Sequence, residues 1–164
     1  MQQDRGSVDK LWRMIKGIEV AMLTTVDEDG TLRSRPMWVQ QKDFDGDLWF
    51  FTRAGAPKVF EVGRHHQVGL AFAEPKRQDY VSVSGRAELV RDRDKARELW
   101  SEWLTTWFPR GLEDPDLALL RVRVETAESW DAPSSTMVHL YGYAKARATG
   151  EPPHPGDTGK VALR

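Results

Sequence analysis

Apolar and polar residues alternate with a period of two in several short runs, separated by turn-forming residues. Val20 to Val26 is a β-rich run that ends in Asp27-Glu28-Asp29-Gly30, where Asp-Gly supplies the positive-φ position of a hairpin. The return strand is predicted from Thr31 to Lys42. Pro36 within it cannot donate a ladder hydrogen bond, which places that part on a sheet edge or at a bulge. A second tight turn, Asp45-Gly46-Asp47, leads into the aromatic strand Leu48 to Thr52. Gln67 to Ala73 and Tyr80 to Val90 are further strands. In the latter Val81, Val83, Ala87 and Leu89 share one face, and Gly85 suggests a bend or bulge. Ala118 to Glu125 alternates in the same way, and Trp130 follows it.

Helical spacing is confined to four stretches. Ser7 to Ile18 places Val8, Leu11, Trp12, Ile15 and Ile18 on one face. A short helix opens at Pro57 and ends near Gly63. Asp92 to Phe108 is the clearest, with Ala96, Leu99, Trp100, Trp103, Leu104 and Trp107 at intervals of three and four. Ser134 to Ala148 has the same look, weakened by Gly142. Six or so strands with helices inserted irregularly between them predict a mainly β protein, an antiparallel barrel with helices packed outside it. Residues 1–150 are expected to form one domain, followed by a Pro-rich tail over 151–164.

Composition narrows the function classes. The 24 basic and 25 acidic residues leave no net field to attract nucleic acid or an acidic membrane. Cysteine is absent, which excludes disulfides, thiolate metal sites and cysteine nucleophiles. With no apolar leader pattern and no run approaching about 18 apolar residues, a cytoplasmic location is expected. Seven tryptophans exceed what a core of this size needs, and point to a flat ligand or a subunit interface.

The candidate chemistry lies between Thr31 and Lys58. Phe51-Thr52 ends a strand, a Gly-containing loop follows, and Pro57-Lys58 opens a helix. The first free N–H groups of that helix, the positive end of its dipole and the Lys58 ammonium make a ready phosphate site, with Thr52 offering a hydroxyl. Upstream, Arg33-Ser34-Arg35-Pro36-Met37 sets two arginines on the neighbouring strand. No Walker loop or Gly-x-Gly-x-x-Gly occurs. The adjacent His65 and His66 lack metal-ligand spacing, and no carboxylate pair or nucleophile elbow stands out. No metal site is predicted, and any chemistry is expected to belong to a bound cofactor.

These residues resemble the FMN-binding split-barrel proteins related to pyridoxamine 5′-phosphate oxidase, and within that group the bacterial general stress proteins. The likeness spans roughly Val8 to Tyr143. It is carried by Leu23-Thr24-Thr25 before an Asp-Gly turn, Ser34-Arg35-Pro36-Met37, Leu48-Trp49-Phe50-Phe51-Thr52, Pro57-Lys58, the run from Tyr80 to Ala87, and Trp130-Asp131. The resemblance implies an antiparallel Greek-key split β-barrel that binds FMN as a homodimer, with the cofactor sites at the subunit interface. It assigns Arg35 and Lys58 to the phosphate, Thr52 and Phe51 to the strand end beside it, and the backbone at Pro36 and Met37 to the isoalloxazine. Tyr80 and Trp130 fall where a partner subunit contributes. The implied activity is that of a flavin-dependent oxidoreductase of unknown substrate. The alternatives are a flavin-binding or buffering protein of the stress response, and a barrel using a deazaflavin or haem. Two departures point away from pyridoxamine phosphate as substrate. The arginine-rich C-terminal motif of the oxidases is missing, and Ala56 and Pro57 stand where they carry a serine and an arginine.

Overall fold

The structure, a computed structural model, describes residues 5–131, 147–150 and 158–163. Its elements in chain order are helix α1 (Arg5–Ile15), strands β1 (Val20–Val26), β2 (Leu32–Trp38) and β3 (Asp47–Arg53), and helix α2 (Pro57–Arg64). Strands β4 (Gln67–Glu74) and β5 (Asp79–Val90) follow, then helix α3 (Arg93–Leu99), 3-10 turns at Glu102–Thr106 and Gly111–Glu113, and strands β6 (Leu117–Trp130) and β7 (Thr158–Ala162). All pairings are antiparallel, in the order β2-β1-β4-β5-β6-β3, with β7 added to β6. The fold is the expected mainly β, antiparallel Greek-key split barrel. Its end strands β2 and β3 do not pair with each other, and both line one cleft. The sheet therefore curls round to leave an open seam between them.

Hydrophobic alternation explains which side faces in. Ala21 and Leu23 of β1, Leu48 and Phe50 of β3, Leu70 and Phe72 of β4, and Val81 and Val83 of β5 are buried in one cluster with Leu11 and Ile15 of α1. The seed turns behave as their residues require: Gly30 has φ 84° and Gly46 φ 103°. The bend predicted at Gly85 is a bulge. Register shifts between Ser84 and Gly85, so that Glu125 of β6 is the extra residue. Inward positions on β6 accordingly switch from even (Leu120, Val122, Val124) to odd (Ala127, Ser129). A Cβ on Gly85 would lie 2.3 Å from the Arg123 carbonyl oxygen, so only glycine fits there.

Three expectations need correction. The helix predicted over Asp92 to Phe108 stops at Leu99, after an Asp92 cap that accepts from the Lys95 N–H at 3.0 Å. Trp100 leaves the helix at φ −64°, ψ 139°, and a 3-10 turn replaces the rest. The cause is tertiary: Trp100 stands edge-on to Phe51 at 5.7 Å, while Trp103 and Trp107 reach Trp38 on β2 at 6.1 and 5.6 Å. A straight helix would aim these three indoles along one stripe, whereas the chain bends them around the barrel wall. The tail expected over 151–164 includes β7, because its Thr158–Ala162 backbone satisfies the outer edge of β6. Finally, the strand predicted from Thr31 to Lys42 ends at Trp38. The helix read over Ser134 to Ala148 lies almost entirely outside the described residues.

Candidate functional site

The seam between β2 and β3 is the candidate site. Hydrogen-bond parity shows how each strand presents it. Val39 N–H donates to Glu19 O at 2.9 Å and Asp27 N–H to Thr31 O at 2.8 Å. With the register Leu23↔Arg35, these bonds put the odd-numbered residues of β2 on the β1 ladder. The even residues Ser34, Pro36 and Trp38 turn their backbone groups to the open edge. Pro36 thus lies on an edge without a bulge, and its missing N–H takes nothing from the sheet. On β3, Val124 N–H donates to Gly46 O at 3.0 Å, which commits even residues to β6 and leaves Trp49, Phe51 and Arg53 facing the seam. Gln41 crosses part of the gap with its side chain. Its Oε1 accepts from Trp49 N–H and its Nε2 donates to Asp47 O, both at 2.8 Å. Beyond Gln41 the edges stay open, and Trp38 and Phe51 turn their backbone N–H groups into the gap.

The cleft measures about 420 Å³, within the range of small-molecule sites. Pro36, Met37 and Trp38 form one wall, and Phe51, Thr52 and Arg53 the other. Lys58 and Ala56 close it at the α2 end, and Trp103, Leu104, Trp107 and Phe108 roof it. Trp103 and Trp107 are 43% and 51% exposed, unusual for so large an apolar ring. Of the eight residues expected at a site, the structure brings five to this cleft: Pro36, Met37, Phe51, Thr52 and Lys58.

At the α2 end, Ala56 caps the helix with its backbone alone, and Pro57 occupies the first turn. Among the described residues no side chain caps the first helical N–H groups, and the Val59 N–H turns back to Ala56 O at 3.0 Å. Lys58, half-buried, makes no hydrogen bond or ion pair among the described residues. Burial, and next to it the charge of Arg35, hold its ammonium below the usual lysine value of 10.5, while Glu61 pulls the other way. Thr52 is buried and its hydroxyl donates only to its neighbour's carbonyl, Arg53 O, at 3.3 Å.

Arg35 lies just behind the cleft wall, bound inward. Its Nη2 donates to Glu61 Oε2 at 2.8 Å and its Nη1 to Thr25 Oγ1 at 2.5 Å. Thr25 in turn donates to Glu61. Arg33 Nη1 reaches Glu61 Oε1 at 3.2 Å. Glu61 is 2% exposed. Burial pushes its carboxyl upward, but the Thr25 and Arg35 hydrogen bonds and the two guanidinium charges together hold it below the usual value. Sequence reasoning missed this carboxylate. The available signal was its place three residues after Lys58, which puts both on one side of α2. It also missed the indole roof, because Trp103 and Trp107 fell on the apolar stripe of a helix predicted over Asp92 to Phe108 and not at the candidate site.

Tyr80 and Trp130 do not line this cleft. They are cross-strand partners at one end of the β5–β6 ladder, Tyr80 being 41% exposed. Among the described residues no helix is long and apolar enough to cross a membrane.

Residues 6–154 match the Pyridoxamine 5′-phosphate oxidase like family, and the chain belongs to that family. It is 30% identical over 142 residues to Protein bli-3 of Neurospora crassa, covering 80% of this chain and 68% of that one. Among solved structures it is similar to the general stress FMN/FAD binding protein of Xanthomonas citri, with 31% identity and a TM-score of 0.69. That match covers 80% of this chain and 92% of the other. A Jannaschia sp. CCS1 structure assigned to general stress protein 26 matches with a TM-score of 0.75 at 25% identity, over 97% of this chain and 99% of that one.

Proposed function

We propose that the seam cleft binds FMN non-covalently, with the phosphate at the start of α2 and the ring system along the open strand edges. The observation that carries this reading is the half-buried Lys58 ammonium, which makes no ion pair among the described residues, lies within the field of Arg35 and is only partly offset by the charge of Glu61. Two cations in a partly desolvated spot repel each other, and a phosphate dianion relieves both. The Lys58 N–H in the first turn of α2 and the Thr52 hydroxyl add donors for the same group. Along the seam, the backbone N–H groups of Trp38 and Phe51 and the Pro36 carbonyl suit a flat heterocycle with donors and acceptors on its edge. The similarity to the Xanthomonas citri FMN/FAD binding protein supports a flavin over other planar cofactors.

A flavin supplies hydride and single-electron transfer. This chain's part is to hold and shield it: Pro36, Met37 and Phe51 exclude water from the ring, and the exposed indoles of Trp103 and Trp107 leave room over it. An open, apolar space above a flavin favours a flavin-dependent oxidoreductase over a flavin store, with a substrate other than pyridoxamine phosphate. The functional unit is a homodimer in which Tyr80 and Trp130 reach the partner's site.

The test is a titration of the purified protein with FMN, riboflavin and FAD by calorimetry, with an absorption spectrum of the protein as isolated. Tight FMN binding, weaker riboflavin binding and a mass of two chains by light scattering are expected. No binding of any flavin, or equal affinity for FMN and riboflavin, overturns the reading. Anaerobic bleaching of the bound flavin by a reduced nicotinamide, followed by turnover with an added acceptor, separates oxidoreductase from flavin store.

A further inference from the structure

Glu61 is the most deeply buried carboxylate around the cleft, and it is not itself among the residues that line it. A buried charge persists only with dedicated partners, and Glu61 has three: the Thr25 hydroxyl, Arg35 Nη2 at 2.8 Å and Arg33 Nη1 at 3.2 Å. Thr25 also receives Arg35 Nη1 at 2.5 Å. Arg35, Thr25 and Glu61 therefore close a three-membered ring of hydrogen bonds. Two of the five guanidinium N–H donors are held by this ring, and the other three have no partner among the described residues.

The elements fix this ring in space. Arg35 stands opposite Leu23 on the β1–β2 ladder, Thr25 lies two residues further along β1, and Glu61 lies one helical turn beyond Lys58. The same carboxylate that anchors the guanidinium is thus rigidly coupled to the lysine at the helix start. Left to itself, a flexible arginine would lose rotamer freedom on meeting a ligand, and that loss would weaken binding. Here the loss is taken in the folded protein, before any ligand arrives.

We infer that Glu61, with Thr25, is a positioning and specificity-determining residue that acts through Arg35 to select the phosphorylated flavin over its unphosphorylated form. The inference rests on the phosphate placement under Proposed function. It carries a sign that simple electrostatics does not. A carboxylate near a phosphate repels it, so on Coulomb grounds alone its neutralisation would tighten FMN binding. Positioning requires the opposite.

The experiment measures dissociation constants of FMN and riboflavin for the wild-type protein, Glu61→Gln and Thr25→Val, with far-UV circular dichroism and thermal melting of each. Glu61→Gln is expected to weaken FMN by about tenfold or more, the scale of one charge-assisted hydrogen bond, with riboflavin unchanged. Thr25→Val, which keeps the side-chain volume, is expected to shift the same ratio in the same direction by a smaller factor. Equal losses for FMN and riboflavin overturn the inference, because a merely structural role weakens both. Tighter FMN binding by Glu61→Gln also overturns it. If Glu61→Gln does not fold, Thr25→Val decides: an unchanged FMN-to-riboflavin ratio sinks the proposal. A wild-type protein without preference for FMN removes the phosphate placement itself, an outcome distinct from a wild-type preference that survives both substitutions.

Discussion

The two ends of the cleft are built from different interactions. At the α2 end, Lys58, Arg35, Glu61 and Thr25 are linked by charge and by directional hydrogen bonds. At the other, Trp38, Phe51, Trp103, Trp107 and Phe108 make ring contacts of 5.6 to 6.3 Å at varied angles. The polar end is selective because a donor satisfied at 2.8 Å is lost at 3.6 Å. The aromatic end is tolerant because dispersion depends weakly on which planar ring is opposite. On the proposed function, a ligand bridging the two would be chosen by its charged terminus and retained by its flat one.

The largest effect expected is that of Lys58→Ala, which removes from the polar end a cation that has no ion pair among the described residues. FMN binding should weaken by about 1.5–3 kcal/mol, or about 10- to 150-fold, with riboflavin unaffected. Equal losses for both ligands in calorimetry would erase the distinction between the ends.

The second expectation concerns pH. Lys58 has a lowered pKa in the free protein, and a bound phosphate favours its charged form. FMN affinity should therefore fall as pH rises through that lowered value, starting below 10.5, while riboflavin affinity stays level. A fluorescence titration across alkaline pH checks the sign.

At the aromatic end, Trp107→Ala should weaken FMN and riboflavin alike, by about 0.5–1.5 kcal/mol. A loss confined to FMN would assign Trp107 to the phosphate region instead.

The smallest effect is on the fold. Glu61 has a folded pKa below the usual glutamate value of 4.5, so its contribution to stability is complete above that value and disappears as pH falls through the folded pKa. Urea midpoints should drop with acid in the wild-type protein, and Glu61→Gln should flatten part of that slope. An unchanged slope would mean that the ring around Arg35 adds nothing to stability.

What was legible in the sequence follows from how local each signal is. Pro57-Lys58 marks a helix start through the geometry of adjacent residues, and Pro36 marks an edge through one missing donor, so both were placed correctly. Arg35 was half legible. Its chemistry pointed to an anion, but the carboxylate that binds it lies 26 residues away on another element. The stretch from Asp92 to Phe108 misled because its apolar period continues unbroken past the true helix end at Leu99. Its continuation was decided by Trp38 and Phe51, which no local window contains.

By itself, then, the amino-acid order determined the strands, the turns, the sheet-edge proline and the cation at the mouth of α2, since each depends on backbone geometry over a few neighbouring residues. Only the tertiary structure decided that β2 and β3 face each other unpaired, that indoles roof the gap, and that Glu61 grips Arg35. Those outcomes depend on contacts between residues far apart in the chain, which form only when the sheet curls and brings its two ends to one seam.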